Sequence, residues 1–455
     1  MNKDWQLGRW ERVADPLADD TVALLMGTAE DAQGKFDLDR LRRANAIMGA
    51  WSTNGSLDAW VAGADKSDPI QSALVEYARV GLALPDWADR AKIERAETLF
   101  MDYGPLSCTL LFCASLPECY LIPDLAEVLH IAGQLEEHTE HRIRQTAAMV
   151  FPVMLKGGLT DADGSGVVSV LRVRLIHATI RHLIVRGNPS KASGVVPKML
   201  RTEEAPAGLQ AELIKHGWNV DVQGLPCNQV ELAYTLLTFG YVFLRGLRQL
   251  GLPLTNEDER AVLHAWNVMG HILGIHRDLM ADTMDDAEEL FTSIASSARL
   301  HAGQFDARPG LGKALMAALS NSIRVPWIRQ FPVPMARWLV GEKTADAVGI
   351  TEHLSFGANV AFRLSMGLAR GIDSVVRIFV PGFALSRMLV RIVGYHMLTR
   401  FLLDQTRPLA LPDRVLNPLK ESVASWSDDK NAPGWVNRVE DRLTTHGTWV
   451  GDSRE

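Results

Sequence analysis

The chain has 455 residues, of which 47% are hydrophobic and 22% charged, and its formal net charge at pH 7 is -7. These proportions are typical of a globular protein, and the negative net charge argues against a nucleic-acid partner. The length admits either two packed lobes or one large helical domain.

The N-terminal stretch, MNKDWQLGRWERVADPLADD, is charged and lacks the apolar core of a secretory signal. No apolar run in the chain is long enough to cross a bilayer as a helix. The sequence therefore predicts a cytoplasmic protein without transmembrane helices.

Apolar residues at helical spacing run through residues 1–100, over 21–26, 38–51 and 70–84. Pro85 closes the last of these segments. We expect residues 1–100 to form an N-terminal helical extension of the main domain.

Three of the four cysteines, Cys108, Cys113 and Cys119, fall within the run LSCTLLFCASLPECY. Their spacing differs from the C-x-x-C pairs of zinc and iron–sulfur sites, so we interpret them as buried thiols. The sequence contains no C-x-x-C-H, which excludes a covalently attached c-type haem.

The most informative stretch is VRLIHATIRH, residues 173–182. In a helix, Arg174, His177 and Arg181 fall on one stripe, because steps of three and four residues return to one face. Cations one turn away on either side disfavour the imidazolium and keep the imidazole neutral, which is the form that binds a metal. The alternative is a packed core histidine that is hydrogen-bonded to a carbonyl.

A second polar pair lies upstream, in the predicted helix EHRIRQTAAMV. Arg142 and Thr146 are four residues apart, so a cation and a hydroxyl lie on one face of this helix.

The ordered set R-x-x-x-T, R-x-x-H-x-x-x-R-H, P-x-N-Q and H-x-W-x-x-x-G-H resembles the rubber oxygenase (latex clearing protein) and MpaB-type oxygenase family of helical haem proteins. The resemblance covers roughly residues 103–350 and includes the phrase ASLPECYL. It implies that His177 is the proximal ligand of a b-type haem. Further residues that it assigns to the haem site are Arg174, Arg181 and His182 beside the cofactor, and Arg142 and Thr146 on the distal side.

Two further positions follow from the same resemblance. Gln145 stands where rubber oxygenases have a lysine before the distal threonine. The carboxylate proposed as a base in those enzymes falls near Glu127.

Beyond the central helices, Asn228 with Glu231, Thr255, and Thr283 with Asp286 are typical of helix starts. The alternating strand pattern that a sheet needs is not seen over several segments. We therefore predict an all-α fold, with a globin-like core and additional helices in a haem-binding, oxygenase-like domain over residues 101–405. Prolines in residues 406–455 predict an extended C-terminal wrap.

The resemblance implies a haem b-dependent oxygenase that acts with dioxygen, and the aliphatic helices beside the site favour an apolar, isoprenoid or lipid-like substrate. A non-catalytic haem or lipid carrier or sensor would use the same residues. A di-iron carboxylate oxidase needs two E-x-x-H pairs, and only Glu127 with His130 supplies one.

Overall fold

The computed structural model describes residues 5–26, 38–65, 67–133, 139–199, 209–323, 329–350, 385–403, 416–417, 420 and 434–444. The α-helices are α1 (Leu7–Trp10), α2 (Pro16–Met26), α3 (Leu38–Ala50), α4 (Leu57–Ala62), α5 (Pro69–Gly81), α6 (Arg90–Tyr103), α7 (Pro105–Leu110), α8 (Leu116–Cys119), α9 (Pro123–Gly133), α10 (Thr139–Met154), α11 (Gly166–Val185), α12 (Leu209–Lys215), α13 (Val220–Gln223), α14 (Gln229–Phe239), α15 (Tyr241–Gln249), α16 (Asn256–Ile272), α17 (Met284–Ser297), α18 (Arg308–Ser322), α19 (Pro332–Val340), α20 (Glu342–Ala347), α21 (Leu385–Leu398) and α22 (Gly434–Thr444).

Short elements complete the architecture. The 3-10 turns are Asn54–Ser56, Pro189–Lys191 and Arg277–Leu279, and the π-helical turns are Leu111–Ser115 and Thr399–Leu403. Strands β1 (Val195–Val196) and β2 (Trp218–Asn219) form one antiparallel pair, with Val195 opposite Asn219. The prediction of an all-α fold is confirmed.

Local sequence explains where the later helices begin. The Thr255 hydroxyl accepts a hydrogen bond from the backbone N–H of Asp258, as expected for an N-cap. Thr283 caps α17 in the same way, through the N–H of Asp286. Asn228 caps α14, but the Glu231 carboxylate does not complete the predicted capping pair. It is buried, and neither of its oxygens has a partner within the described ranges.

One continuous hydrophobic core joins the described helices, from Trp5 near the N-terminus to Val436 in α22. α2 packs on α11, α16 packs on α6, and α21 packs on α7. The boundary predicted at residues 100/101 falls inside α6, and the helices before it contribute to this same core.

The C-terminal tail contains more regular structure than predicted. Residues 434–444 form α22, so the prediction of an extended wrap is wrong for this segment. On the buried side of α22, Glu440 forms an ion pair with Arg391 of α21 at 2.8 Å. This tertiary contact favours the helix over an extended chain. Apart from residues 416, 417 and 420, the rest of 406–455 lies outside the described residues.

Two features bear on membranes. Gln229–Gln249 is long and apolar enough to span a bilayer, but 89% of its apolar window is buried inside the protein, which explains its composition. The bent pair Arg90–Tyr103 and Pro105–Cys119 passes the same test only if its 90° break is disregarded. The sequence also offers residues 375–403, an apolar run interrupted by arginines, as a basic amphipathic helix for peripheral membrane contact, with a helix packed on the protein as the alternative. Residues 375–384 of this segment lie outside the described residues. In its described part, Arg391 and Arg400 pair with Glu440 and Glu140, as in a helix packed on its own protein.

Candidate functional site

The predicted site residues lie on two successive helices, α10 and α11, which pack against each other. By helix rise, Arg142 lies roughly 18 Å before the end of α10 and His177 roughly 17 Å after the start of α11. Because the chain turns back between the two helices, these residues lie at similar levels of the pair.

The turn between α10 and α11 is anchored from outside. The Gly157 N–H donates a hydrogen bond to the buried Glu97 carboxylate at 2.8 Å. The Asn54 amide donates to the carbonyls of Gly158 and Asp161, at 2.9 and 3.0 Å. Other helices therefore fix the relative placement of α10 and α11.

His177 is half-buried, so part of it borders space that protein atoms do not fill. Its Nδ1 atom is buried and has no hydrogen-bond partner among the described residues. Burial lowers the pKa of His177 to about 4, and the Arg181 cation contributes in the same direction. The imidazole is thus neutral at pH 7, as predicted, although burial is a larger cause than the neighbouring charge. The alternative of a packed core histidine that is hydrogen-bonded to a carbonyl gains no support from Nδ1, which has no such partner among the described residues.

The two arginines that flank His177 are each paired with a carboxylate of the N-terminal segment. Arg174 donates two hydrogen bonds to Asp15, one of them from Nη2 to Oδ1 at 2.7 Å. Arg181 donates from Nε to Asp19 at 2.8 Å and from Nη1 to the Cys227 carbonyl at 2.6 Å. In this arrangement both guanidinium groups attach α11 to the start of α2. Their contact with a cofactor stays a prediction.

His182 is completely buried in the last turn of α11. The structure places it on the same helix as His177, five positions later in sequence, and therefore on a different face. Its assignment to the cofactor site also stays a prediction.

On α10, the Arg142 and Thr146 side chains are half-buried, whereas Gln145 is exposed. The Thr146 hydroxyl donates to the Arg142 carbonyl at 3.1 Å, so it must rotate before it can donate to another group. The Arg142 guanidinium lies over the Tyr120 ring, 5.9 Å from its centroid. The structure thus brings Arg142 and Thr146 to one side of the helix and leaves Gln145 on another.

Glu127, near which the resemblance places a base, belongs to a hydrogen-bonded cluster. His216 Nε2 lies 2.8 Å from Glu127 Oε1. The amides of Gln223 and Gln304 each donate to both Glu127 and Asp124, at 2.7 to 3.0 Å. Burial alone would raise the pKa of Glu127, but the bonds from His216 and Gln304 outweigh it and lower that pKa. Burial raises the pKa of Asp124.

No group of three or more histidine, cysteine, aspartate or glutamate side chains that could hold a metal ion occurs in the ranges that the structure describes. The Glu127 carboxylate contacts His216, not the side chains of a second E-x-x-H pair. The di-iron hypothesis gains no support. Cys108, Cys113 and Cys119 are buried and free, as predicted, and Cys227 is buried and free as well.

His264 and His271 of α16 both lie against Trp87, with ring centroids 5.7 and 6.0 Å away. His264 Nε2 also accepts a hydrogen bond from the Asp89 N–H at 2.8 Å. These contacts give the two histidines a structural role.

Sequence reasoning missed three residues that support the site. Asp15 and Asp19 hold the arginines of α11, and no local pattern indicates pairings across 159 and 162 residues. Tyr120 contacts Arg142, and it belongs to the phrase ASLPECYL, which was a usable signal.

Comparison with known proteins gives a consistent result. The family model described as "ER-bound oxygenase mpaB/B'/Rubber oxygenase, catalytic domain" matches residues 109–371. The rubber oxygenase of Streptomyces sp. (strain K30) is 21% identical over 349 residues, which cover 76% of this chain and 71% of that protein. The structure of latex clearing protein LCP in the closed state shares the fold, with a TM-score of 0.62 and 18% identity over 85% of this chain and 91% of that one. Because the family match spans more than half of the sequence and contains α10 and α11, the chain belongs to the mpaB/rubber oxygenase catalytic-domain family of oxygenases.

Proposed function

We propose that the protein is a haem b-dependent oxygenase that uses dioxygen to oxidise an apolar substrate, with His177 as the axial ligand of the haem iron. The observation that carries this proposal is the state of His177. Its imidazole is neutral, its Nδ1 is buried without a partner among the described residues, and the residue borders unfilled space. A neutral imidazole is the form that binds a metal, and one that borders unfilled space can be reached by a cofactor.

The surrounding residues fit a haem. A neutral imidazole on a rigid helix is the usual axial ligand, and Leu171, Leu175 and Ala178 make α11 apolar around His177. When bound, the haem would supply the iron centre that binds and activates dioxygen.

The chain's own residues would set the environment of that chemistry. Arg142 offers guanidinium N–H donors, and Thr146 offers a hydroxyl once it turns away from its own helix. Donors that are fixed in advance stabilise negative charge as it develops, and they act more strongly where apolar walls exclude water. The Arg174–Asp15 and Arg181–Asp19 pairs would hold α11, and with it His177, in place.

The substrate class follows from the family and from the core. A family member is named for rubber, an apolar polymer. The helices that carry the site here contain many buried aliphatic residues. We infer a small isoprenoid or lipid-like substrate.

Oxygen consumption tests the enzymatic proposal. The haem-loaded, reduced protein should take up oxygen when an isoprenoid or lipid extract is added, and Arg142→Ala should abolish turnover while leaving haem content mostly intact. Arg42→Ala removes an exposed arginine of α3 and should leave uptake unchanged. A stable oxygen complex that consumes no substrate would instead identify a carrier or sensor. A fully active Arg142→Ala variant would remove the role assigned to Arg142.

A further inference from the structure

Arg142 differs from four other arginines around the core in what it contacts. Arg174, Arg181, Arg245 and Arg391 each have a carboxylate within 2.5 to 2.8 Å. In the described part of the chain, Arg142 has no carboxylate at ion-pair distance. Its guanidinium lies over the Tyr120 ring instead and donates a hydrogen bond to the Tyr120 hydroxyl.

The two kinds of partner leave a guanidinium in different states. A carboxylate neutralises the positive charge and occupies two N–H donors in a forked arrangement. An aromatic face attracts the cation through its quadrupole, adds no charge, and leaves the N–H groups at the edge available. An aromatic ring can therefore hold an arginine in place while its positive charge and N–H donors bind a ligand.

Tyr120 is itself held firmly. It follows α8 directly, after the π-helical turn Leu111–Ser115, and only 4% of its surface is exposed. The two preceding residues, Glu118 and Cys119, attach the end of α8 to α14 and α15. Glu118 accepts a hydrogen bond from Arg245 at 2.5 Å, and the Cys119 thiol lies 2.9 Å from the Thr238 hydroxyl. The ring is thus a fixed surface against which the Arg142 side chain lies.

We propose that Tyr120 is the positioning residue for Arg142: its ring and hydroxyl hold the guanidinium beside α10, while the positive charge and the remaining N–H donors stay free for the ligand. This inference rests on the proposed function, because it assumes that Arg142 serves a bound molecule. Tyr120 itself need not touch the substrate.

The chain contains a matched control. Arg245 lies over the Tyr241 ring at 5.8 Å, nearly the same distance, but Glu118 already holds its guanidinium. Removing that ring should leave Arg245 in place, whereas removing Tyr120 leaves Arg142 without the support that the structure shows for it.

The experiment compares Tyr120→Phe, Tyr120→Leu and Tyr241→Leu in the full-length, haem-loaded protein. One readout is the C–O stretching frequency after carbon monoxide is added to the reduced protein, because this frequency responds to nearby positive charge. The other is kcat and KM for oxygen uptake. Tyr120→Leu should shift the frequency in the same direction as Arg142→Ala and lower kcat by roughly tenfold to a hundredfold, as expected when a catalytic donor is misplaced. Tyr120→Phe keeps the ring but loses the hydroxyl that Arg142 bonds, so both properties should lie between those of wild type and Tyr120→Leu. Tyr241→Leu should retain both properties.

Two results would overturn the inference. One is a Tyr120→Leu protein with the wild-type frequency and kcat. The other is an equal loss in Tyr120→Leu and Tyr241→Leu, which would indicate general destabilisation.

A measurement on protein without haem separates failure of the proposed function from failure of this inference. If the wild-type protein binds no haem, the rate at which phenylglyoxal modifies Arg142 is followed by peptide mass spectrometry. Faster modification in Tyr120→Leu than in wild type and Tyr120→Phe supports the positioning role, and equal rates in all three reject it.

Discussion

Arg181 and Asp19 are 162 residues apart in the chain and form a buried ion pair, with side-chain exposures of 0% and 4%. Removing one partner leaves the other charge buried and uncompensated, which costs far more than the pair contributes. We expect Asp19→Asn to lower the free energy of unfolding by about 3 kcal/mol or more, measured by urea denaturation.

The neighbouring Asp20 supplies the control for this pair. It is exposed and accepts one hydrogen bond from Asn188, so Asp20→Asn should change stability by no more than about 0.5 kcal/mol. The apolar double variant Asp19→Leu/Arg181→Met should recover much of the loss. Equal effects of Asp19→Asn and Asp20→Asn would show that the buried pair is not what holds α2 to α11.

Gly394 marks the closest approach between α21 and α7. A Cβ atom at this position would lie 1.8 Å from the Pro105 carbonyl oxygen, which is backbone and cannot move aside. Gly394→Ala should therefore destabilise the protein by about 2 kcal/mol or more, as overpacking does. Thermal unfolding measures the change.

Gly49, near the end of α3, lies beside open space, because a Cβ atom added there would meet no other atom within 4 Å. Gly49→Ala should stabilise the protein by up to about 1 kcal/mol, because alanine is the better helix former. If Gly394→Ala is as well tolerated as Gly49→Ala, then α21 does not cross α7 at such close range.

Glu97, which anchors the turn between α10 and α11, gives a pH prediction. Burial raises its pKa from 4.5 to about 7, although the Gly157 N–H partly opposes this. Because the folded protein holds this proton more tightly than the unfolded chain, the stability from Glu97 is complete below pH 4.5 and is lost as pH rises through about 7. From the shift, the loss amounts to roughly 3 kcal/mol.

The measurement compares urea midpoints of wild type and Glu97→Gln between acidic and neutral pH. Glutamine does not titrate, so the advantage of wild type over the variant should decline across this range. Glu94→Gln alters an exposed residue of the same helix, so its urea midpoint should change with pH as that of wild type does. A constant difference between wild type and Glu97→Gln would mean that Glu97 does not titrate with folding.

Local signals allowed prediction of much of the fold. Helical periodicity and the caps Thr255 and Thr283 identified helices that the structure contains. They failed for α22, because prolines in the surrounding tail indicated an extended chain, while the pairing of Glu440 with Arg391 is a tertiary contact. Tertiary contacts of this kind have no local sequence pattern.

The candidate site likewise combines features that local sequence predicts with features that depend on tertiary contacts. The neutrality of His177 was predicted from flanking cations, yet burial is the larger cause, and depth of burial is a property of the folded chain. Asp15 and Asp19 could not be assigned to the arginines of α11 without the fold. The face shared by Arg142 and Thr146 was predictable because it depends only on helical spacing.

An absorption spectrum of the protein, expressed with a haem precursor, tests the central claim most directly when it is repeated on His177→Ala. The account predicts a Soret band in the wild type that is lost in the variant, with helical content unchanged by circular dichroism. His276→Ala, at a surface histidine of the 3-10 turn after α16, should keep the band. A wild-type protein without a Soret band, or a band retained by His177→Ala, would contradict haem ligation by His177.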